Sequence, residues 1–251
     1  MQTVLVQAFS PVLADRLRAD AARPLVTFYD DATGERVELS VATYSNWVSK
    51  TAGLVQDELD VERGGLVLLD LPTHWQGVVW LGAAWTMGLC ATDDRSRVAS
   101  ADLVVCGPDR VQAYAGIASA TPVVALSLRP LGGRFTDALP AGVTDYGSVL
   151  AQPDVFFADD PPSAEDPAWQ DSAGSLAQSA VLRETVPTVP DPTRLLTDVN
   201  PCTRAGLASL VAPLLAGGGT VWVRNADPAR WRSRYAEEQA TGQWVAGEPV
   251  H

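Results

Sequence analysis

The chain has 251 residues, which at about 100–200 residues per domain allows one large domain or two small ones. Hydrophobic residues make up 47% and charged residues 19%, so the chain can bury a substantial core and is not disordered. Lys and Arg number 18 against 30 Asp and Glu, and the net charge of −12 argues against a nucleic-acid groove or an anionic membrane surface as the main partner. Lys50 is the only lysine, so any chemistry that needs one must use it.

A helix over residues 11–22 is expected to bury Val12, Leu13 and Leu17 on one face. Strands over 25–29 and 36–39, joined by a turn at Asp30–Gly34, read as a β-hairpin. Ser40 caps the next helix, where Val41, Tyr44, Trp47, Val48, Thr51, Leu54 and Val55 recur at helical spacing. Gly64-Gly65 leads into Leu66–Leu71, apolar except for Asp70, as expected of a central parallel strand. Thr73 with Gln76 three residues on is a capping-box pattern. The helix that follows to Met87 is apolar nearly all round and should lie deep, with Trp75, Trp80 and Trp85 as core residues. Gly88 suits the position beyond its end.

Strands are expected over 89–92, 101–106 and 122–126, and helices over 108–117 and 145–152, with 129–144 loop-like. Residues 153–175 mix Pro153, Pro161, Pro162 and Pro167 with acidic side chains. They read as a solvated loop or hinge and not a metal site, because proline-broken carboxylates rarely converge on one ion. Periodic structure returns over 176–184, followed by a strand over 193–199 and a helix over 203–216 capped by Thr203. Gly217–Gly219 turns into a strand over 220–224. Asp227-Pro228 starts a helix buried through Trp231 and Tyr235, and 243–246 is a last strand. The alternation implies an α/β fold with an open, mostly parallel sheet and helices on both faces. Cys90, Cys106 and Cys202 are widely spaced and sit in apolar surroundings, as buried free thiols would. Met1–Asp20 has no signal-peptide pattern, and no stretch holds 18 uninterrupted apolar residues, so the expected location is cytoplasmic.

Residues 25–90 taken together, LVTFYDDATGERVELSVATYSNWVSKTAGLVQDEL and RGGLVLLDLPTHWQGVVWLGAAWTMGLC, resemble the N-terminal part of the AMP-forming adenylating enzymes. That superfamily holds acyl-CoA synthetases, luciferases and peptide-synthetase adenylation domains. In it a hairpin is followed by a helix with a tyrosine near its start, here Tyr44. A GD-x-V-ALLLPN strand follows, here GGLVLLDLPT, then an apolar helix ending in GA, here MGLC. The later TDVNPCTRAGLASLVAPLLAGGGTVWV resembles the family's LPLFHxxGL…PLLAGGxVV segment. The similarity is strongest to a short actinobacterial group of uncharacterised proteins. It implies one truncated adenylating-enzyme-like domain over 1–251, with a loop or hinge at 153–175.

The resemblance also says what adenylation would need. The family's phosphate loop reads roughly [ST]-[ST]-G-[ST]-T-G-x-P-K-G, and the comparable stretch here is Asp171–Ser179. Ser172, Gly174 and Ser175 could be remnants; the second glycine, the proline and the lysine are absent, and Asp166 and Asp171 would repel phosphate. The family's aromatic-histidine pair gives way to Asn200, Pro201, Cys202 and Thr203. The family's adenine, ribose and C-terminal lysine motifs are not found in these residues, and Lys50, read as lying on the exposed side of its helix, cannot stand in. ATP or AMP is expected only if the family activity survives. Thr73 and His74, which follow a strand at a helix start, and Asn200, Cys202 and Thr203 are candidates for a ligand crevice at the carboxyl ends of strands. No catalytic residue and no metal ligand is assigned. The leading expectation is a catalytically inactive relative acting as a binding or regulatory module, as a homodimer covering a sheet edge or with another protein partner. The alternatives are a half-enzyme completed by a second chain and a carrier of a small molecule or acyl group.

Overall fold

The strands sort into two sheets, where the sequence pattern suggests one; the computed structural model describes residues 7–184 and 193–246. Helix α1 (Phe9–Asp20) precedes the hairpin β1 (Pro24–Asp30) and β2 (Glu35–Ser40). Then come α2 (Val41–Asp57), β3 (Leu66–Asp70), α3 (Trp75–Thr86), β4 (Cys90–Thr92), β5 (Leu103–Cys106), the short α4 (Val111–Tyr114), β6 (Val123–Ala125) and β7 (Val143–Asp145). A second hairpin, β8 (Pro167–Asp171) and β9 (Gly174–Ala177), leads into α5 (Gln178–Glu184). After it lie β10 (Arg194–Thr197), α6 (Leu207–Leu215), β11 (Gly219–Arg224), α7 (Pro228–Glu237) and β12 (Gly242–Trp244).

One sheet has the order β12-β10-β11-β1-β2 and the other β7-β6-β5-β3-β4-β8-β9. Both are parallel except for the hairpin at one edge of each. Helices fill the space between them: α2 packs on β1 and β2, α3 on β1 and β4, α6 on β10 and β11, and α5 on β8 and β9. The main apolar core is therefore the layer between the sheets. Beyond the five-stranded sheet, Trp231 and Tyr235 of α7 are half-buried against Val221 and Val223. Beyond the seven-stranded sheet, Val111 and Tyr114 of α4 pack on Val104 and Cys106.

A helix touched by both sheets has no side to give to water, which explains the apolar run of α3. Trp75, Trp80 and Trp85 are all buried, and the Trp85 indole donates to the Ala168 carbonyl at 2.9 Å. Gly82 is needed there, since a Cβ would fall 2.3 Å from the Tyr44 hydroxyl. Ser40 caps α2 and Asp227 caps α7, each side chain accepting from a backbone N–H. Gly88 follows α3 with φ +73°.

Several expectations shift. Phe9, Val12 and Leu13 form the buried side of α1, and Leu17 stays exposed. The helix expected over 108–117 is α4 between two 3-10 turns, and that over 145–152 is the 3-10 turn Tyr146–Ala151. The loop expected over 153–175 ends at Pro167, where β8 joins β4 through the Ala91–Trp169 pair. His251 and the first six residues of the stretch read as lacking a signal-peptide pattern lie outside the described residues. Among the described residues no helix is long and apolar enough to cross a membrane.

Candidate functional site

In the seven-stranded sheet β3 lies between β4 and β5, so the connections leaving β3 and β4 run to opposite sides. The carboxyl end of a strand at such a switch point is where open α/β sheets form ligand crevices. Residues Leu71–His74 leave β3 at that end.

Pro72 stops the strand, and α3 starts one residue later than the capping-box pattern predicts. His74, not Thr73, is the N-cap: its Nδ1 accepts from the Gln76 backbone N–H at 3.3 Å. Thr73 is half-buried one step outside the helix. Because Nδ1 accepts, the neutral ring carries its proton on Nε2, and Nε2 has no partner among the described residues. The ring stands edge-on to Phe28, with centroids 4.7 Å apart. Burial, aided by the Arg224 charge and opposed by Asp30, pulls the His74 pKa down to about 3. His74 is therefore an uncharged, buried donor at neutral pH.

The segment facing it comes from the five-stranded sheet. After β10 the chain turns through Asn200–Arg204. Asn200 Nδ2 donates to the Leu71 carbonyl at 2.8 Å, while its Oδ1 accepts from the Cys202 N–H at 3.0 Å. One side chain thus ties a strand end of one sheet to a strand end of the other. Thr203 does not cap α6, which begins only at Leu207. Its hydroxyl donates to the Asn200 carbonyl and accepts from the Gly206 N–H, closing the turn ahead of the helix. Cys202 is buried with its sulfur against Gly77, where a Cβ would come within 2.7 Å. Burial, with Asp93 adding to it, raises the Cys202 thiol far above its ordinary range, so it is a packing residue and not a nucleophile.

The stretch compared with a phosphate loop is the β8–β9 turn. Asp171 pairs with Gly174 across a two-residue connection, with Gly174 at φ +123°. Asp171 accepts from the Ala173 N–H at 2.8 Å, from the Trp169 indole at 3.0 Å and from Arg204 at 3.1 Å. Arg204 also donates to the Gly174 carbonyl. Ser172, Gly174 and Ser175 are exposed on this turn. Arg204 links the turn to the Asn200–Thr203 loop, so both sets of sequence candidates lie on connected segments.

Some residues here were not anticipated. Asp93, just past β4, is half-buried, and its pKa is raised by burial and by the charges of Asp171 and Asp94. Arg204 is the cation nearest the turn, already engaged by Asp171. Asp70, at the end of β3, is buried and receives Arg95 at 2.7 Å, Arg110 at 2.8 Å and the Tyr114 hydroxyl at 2.7 Å. Burial works to raise its pKa, but those donors outweigh it and hold it below the usual carboxylate range. The position of Asp93-Asp94 directly after a strand was the one available signal. Lys50 lies elsewhere: it donates to the Gln152 carbonyl and pairs with Asp154 at 3.0 Å, and its side chain is largely covered, contrary to the exposed position expected. Among the described residues no group of three or more His, Cys, Asp or Glu is placed to hold a metal ion.

No family model matches the chain. It is 37% identical over 242 residues to a TIGR03089 family protein of Mycobacterium tuberculosis (strain ATCC 25618 / H37Rv), a match covering 92% of this chain and 95% of that protein. Its fold is that of the crystal structure of Brucella canis acyl-CoA synthetase, with a TM-score of 0.76 at 15% identity over 95% of this chain. The chain spans about half the length of that synthetase, 47% of it.

Proposed function

The chain belongs to the TIGR03089 family, and from that premise we propose that it is a catalytically inactive relative of the AMP-forming acyl-CoA synthetases, working in the cytoplasm as a binding or regulatory module. The observation that carries this reading is the β8–β9 turn. A loop that cradles phosphates needs free backbone N–H groups and a cation. Here the turn closes on its own carboxylate: Asp171 takes the Ala173 N–H, and the nearby guanidinium, Arg204, is bound to Asp171 and Gly174. Asp93 adds a further carboxylate, its pKa raised by burial and by the Asp171 charge. These residues do not fit a triphosphate, and the single lysine is engaged by Gln152 and Asp154.

Calorimetric titration with Mg-ATP and with AMP, beside an assay of ATP–pyrophosphate exchange over a panel of carboxylic acids, tests the reading. No heat and no exchange are expected. Micromolar nucleotide binding with acyl-adenylate formation overturns it.

A half-enzyme is the second reading, favoured by the match to 47% of a synthetase. It predicts that a chain supplying the remaining motifs copurifies repeatedly from the native host and restores exchange activity.

A further inference from the structure

Residues 152–160 run as a strap along the outside of α2. Lys50 holds the strap at Gln152 and Asp154. Gln56 donates to the Phe157 carbonyl at 3.5 Å and accepts from the Asp159 N–H at 3.1 Å. Arg63 pairs with Asp160 at 2.9 Å. Phe156 packs on the core, while its neighbours Val155 and Phe157 stand outward, 67% and 83% exposed. Single exposed apolar side chains are ordinary. Two of them held out together by a pinned segment form a patch of the kind that marks a contact surface.

The surroundings of the patch are one-sided in charge. Asp57, Glu58, Asp60, Glu62 and Asp159 are exposed and make no ion pair among the described residues. The two cations of this region, Lys50 and Arg63, are already paired with Asp154, Asp160 and Asp166. The 17-residue α2 ends here with no basic residue in its last turn, so its C-terminal carbonyls add negative potential. Between the helix end and the strap lies a cleft of about 400 Å³, lined by Asp60, Glu62, Met87 and Asp159 among others.

We propose that this face docks a basic, apolar-anchored segment of another protein: Val155 and Phe157 receive the apolar side chains, and the unpaired carboxylates receive Lys or Arg. Charge complementarity selects that occupant. A second copy of this chain would bring carboxylates against carboxylates, and a nucleic acid or an anionic membrane would be repelled in the same way. The face lies at the amino end of β3, away from the Leu71–His74 and Asn200–Arg204 segments, so it does not depend on whether those segments handle nucleotide.

The test titrates the full chain into a fluorescent peptide of alternating arginine and leucine and follows anisotropy. Binding is expected. It should weaken at least roughly tenfold in the double variant Val155→Ser, Phe157→Ser, and on raising salt, as anchor residues in a charged setting do. Equal binding by the double variant overturns the proposal. So does equal binding of an arginine–serine peptide, which would leave charge alone as the cause. Sedimentation showing that the wild-type chain self-associates through Phe157 would replace the partner with a second copy. Should the double variant fail to fold, hydrogen exchange on the wild-type chain decides: added peptide must slow exchange across residues 152–160, and no slowing rejects the face.

Discussion

At the carboxyl end of β3 a histidine and a cysteine are packed out of water beside a half-buried asparagine, while near its amino end a phenylalanine and a valine stand in it. The first region inverts the usual arrangement by burying polar groups, and it succeeds because most of them are bonded. Asn200 serves two backbone groups, Thr203 two more, and His74 caps a helix. The second region inverts it by exposing apolar groups, and nothing among the described residues covers them. The contrast separates two roles on one fold. Buried, bonded polar groups hold the two sheets in register with each other, so changes there should act on stability. Exposed apolar groups contribute little to stability, so changes there should act on association.

The largest effect is expected from Gly206→Ala. Its Cβ would lie 1.8 Å from the Asn200 oxygen and 2.7 Å from that carbonyl carbon, both backbone atoms of the turn that joins the sheets. The turn must open or the helix must move, at a cost of about 3 kcal/mol. Urea denaturation measures this. A variant as stable as wild type would mean that the Asn200–Gly206 turn does not hold the two strand ends together.

Asn200→Ala removes the same link more gently. The Leu71 carbonyl and the Cys202 N–H each lose a partner in a half-buried place, worth about 1–2 kcal/mol together. Asn200→Asp should recover little, since it restores the acceptor for Cys202 and places a carboxylate against the Leu71 carbonyl. If the aspartate variant matched wild type in denaturant midpoint, the Nδ2 bond across the sheets would be without weight.

His74 sharpens the comparison through pH. Its folded pKa is near 3 and its ordinary value is 6.5, so below 6.5 the unfolded chain takes up a proton that the folded chain refuses. Stability from this group is complete above pH 6.5 and is lost as pH falls towards 3. Between pH 6 and 5 that amounts to about 1 kcal/mol. Arg63 pulls the Asp166 pKa down to about 2, and Asp31 and Asp70 are also held low, so the stability these carboxylates give is lost only at pH below this range. As pH drops from 6.5 to 5, denaturation midpoints should therefore fall in wild type and stay nearly flat in His74→Asn, which keeps a capping side chain. A slope of the same size in both would place the proton elsewhere.

Local chemistry in the sequence foretold local structure. Ser40 and Asp227-Pro228 mark helix starts because a cap acts over a few residues, and the apolar run around Trp75, Trp80 and Trp85 marks a buried helix because burial on all sides leaves no polar stripe. The family resemblance carried the fold. The two-sheet arrangement was not legible, since alternating strands and helices say that a sheet is covered and not which sheet a strand joins. Thr73 and Thr203 were misread as helix caps. The helix begins one residue later than the capping-box pattern suggests, which moves the cap from Thr73 to His74. Thr203 serves a turn that exists only because Gly206 lets two backbone segments touch. Asp93 is perturbed by Asp171, far away in sequence, and no local pattern reports such a pair.

The smallest stability effect belongs to the other region, and it is the most telling for the contrast. Phe157→Ser removes a large apolar side chain that is already mostly in water. A surface substitution of that kind stays within about 0.5 kcal/mol, and the strap keeps its bonds because Gln56 holds the Phe157 carbonyl and the Asp159 N–H, both backbone groups. The denaturation curve should therefore overlay that of wild type while binding of a basic, leucine-bearing peptide falls. Loss of more than about 1 kcal/mol would show that Phe157 packs on the fold. It would then belong with Asn200 and Gly206 as a stabilising residue, and the division between a packed end and a docking end would collapse.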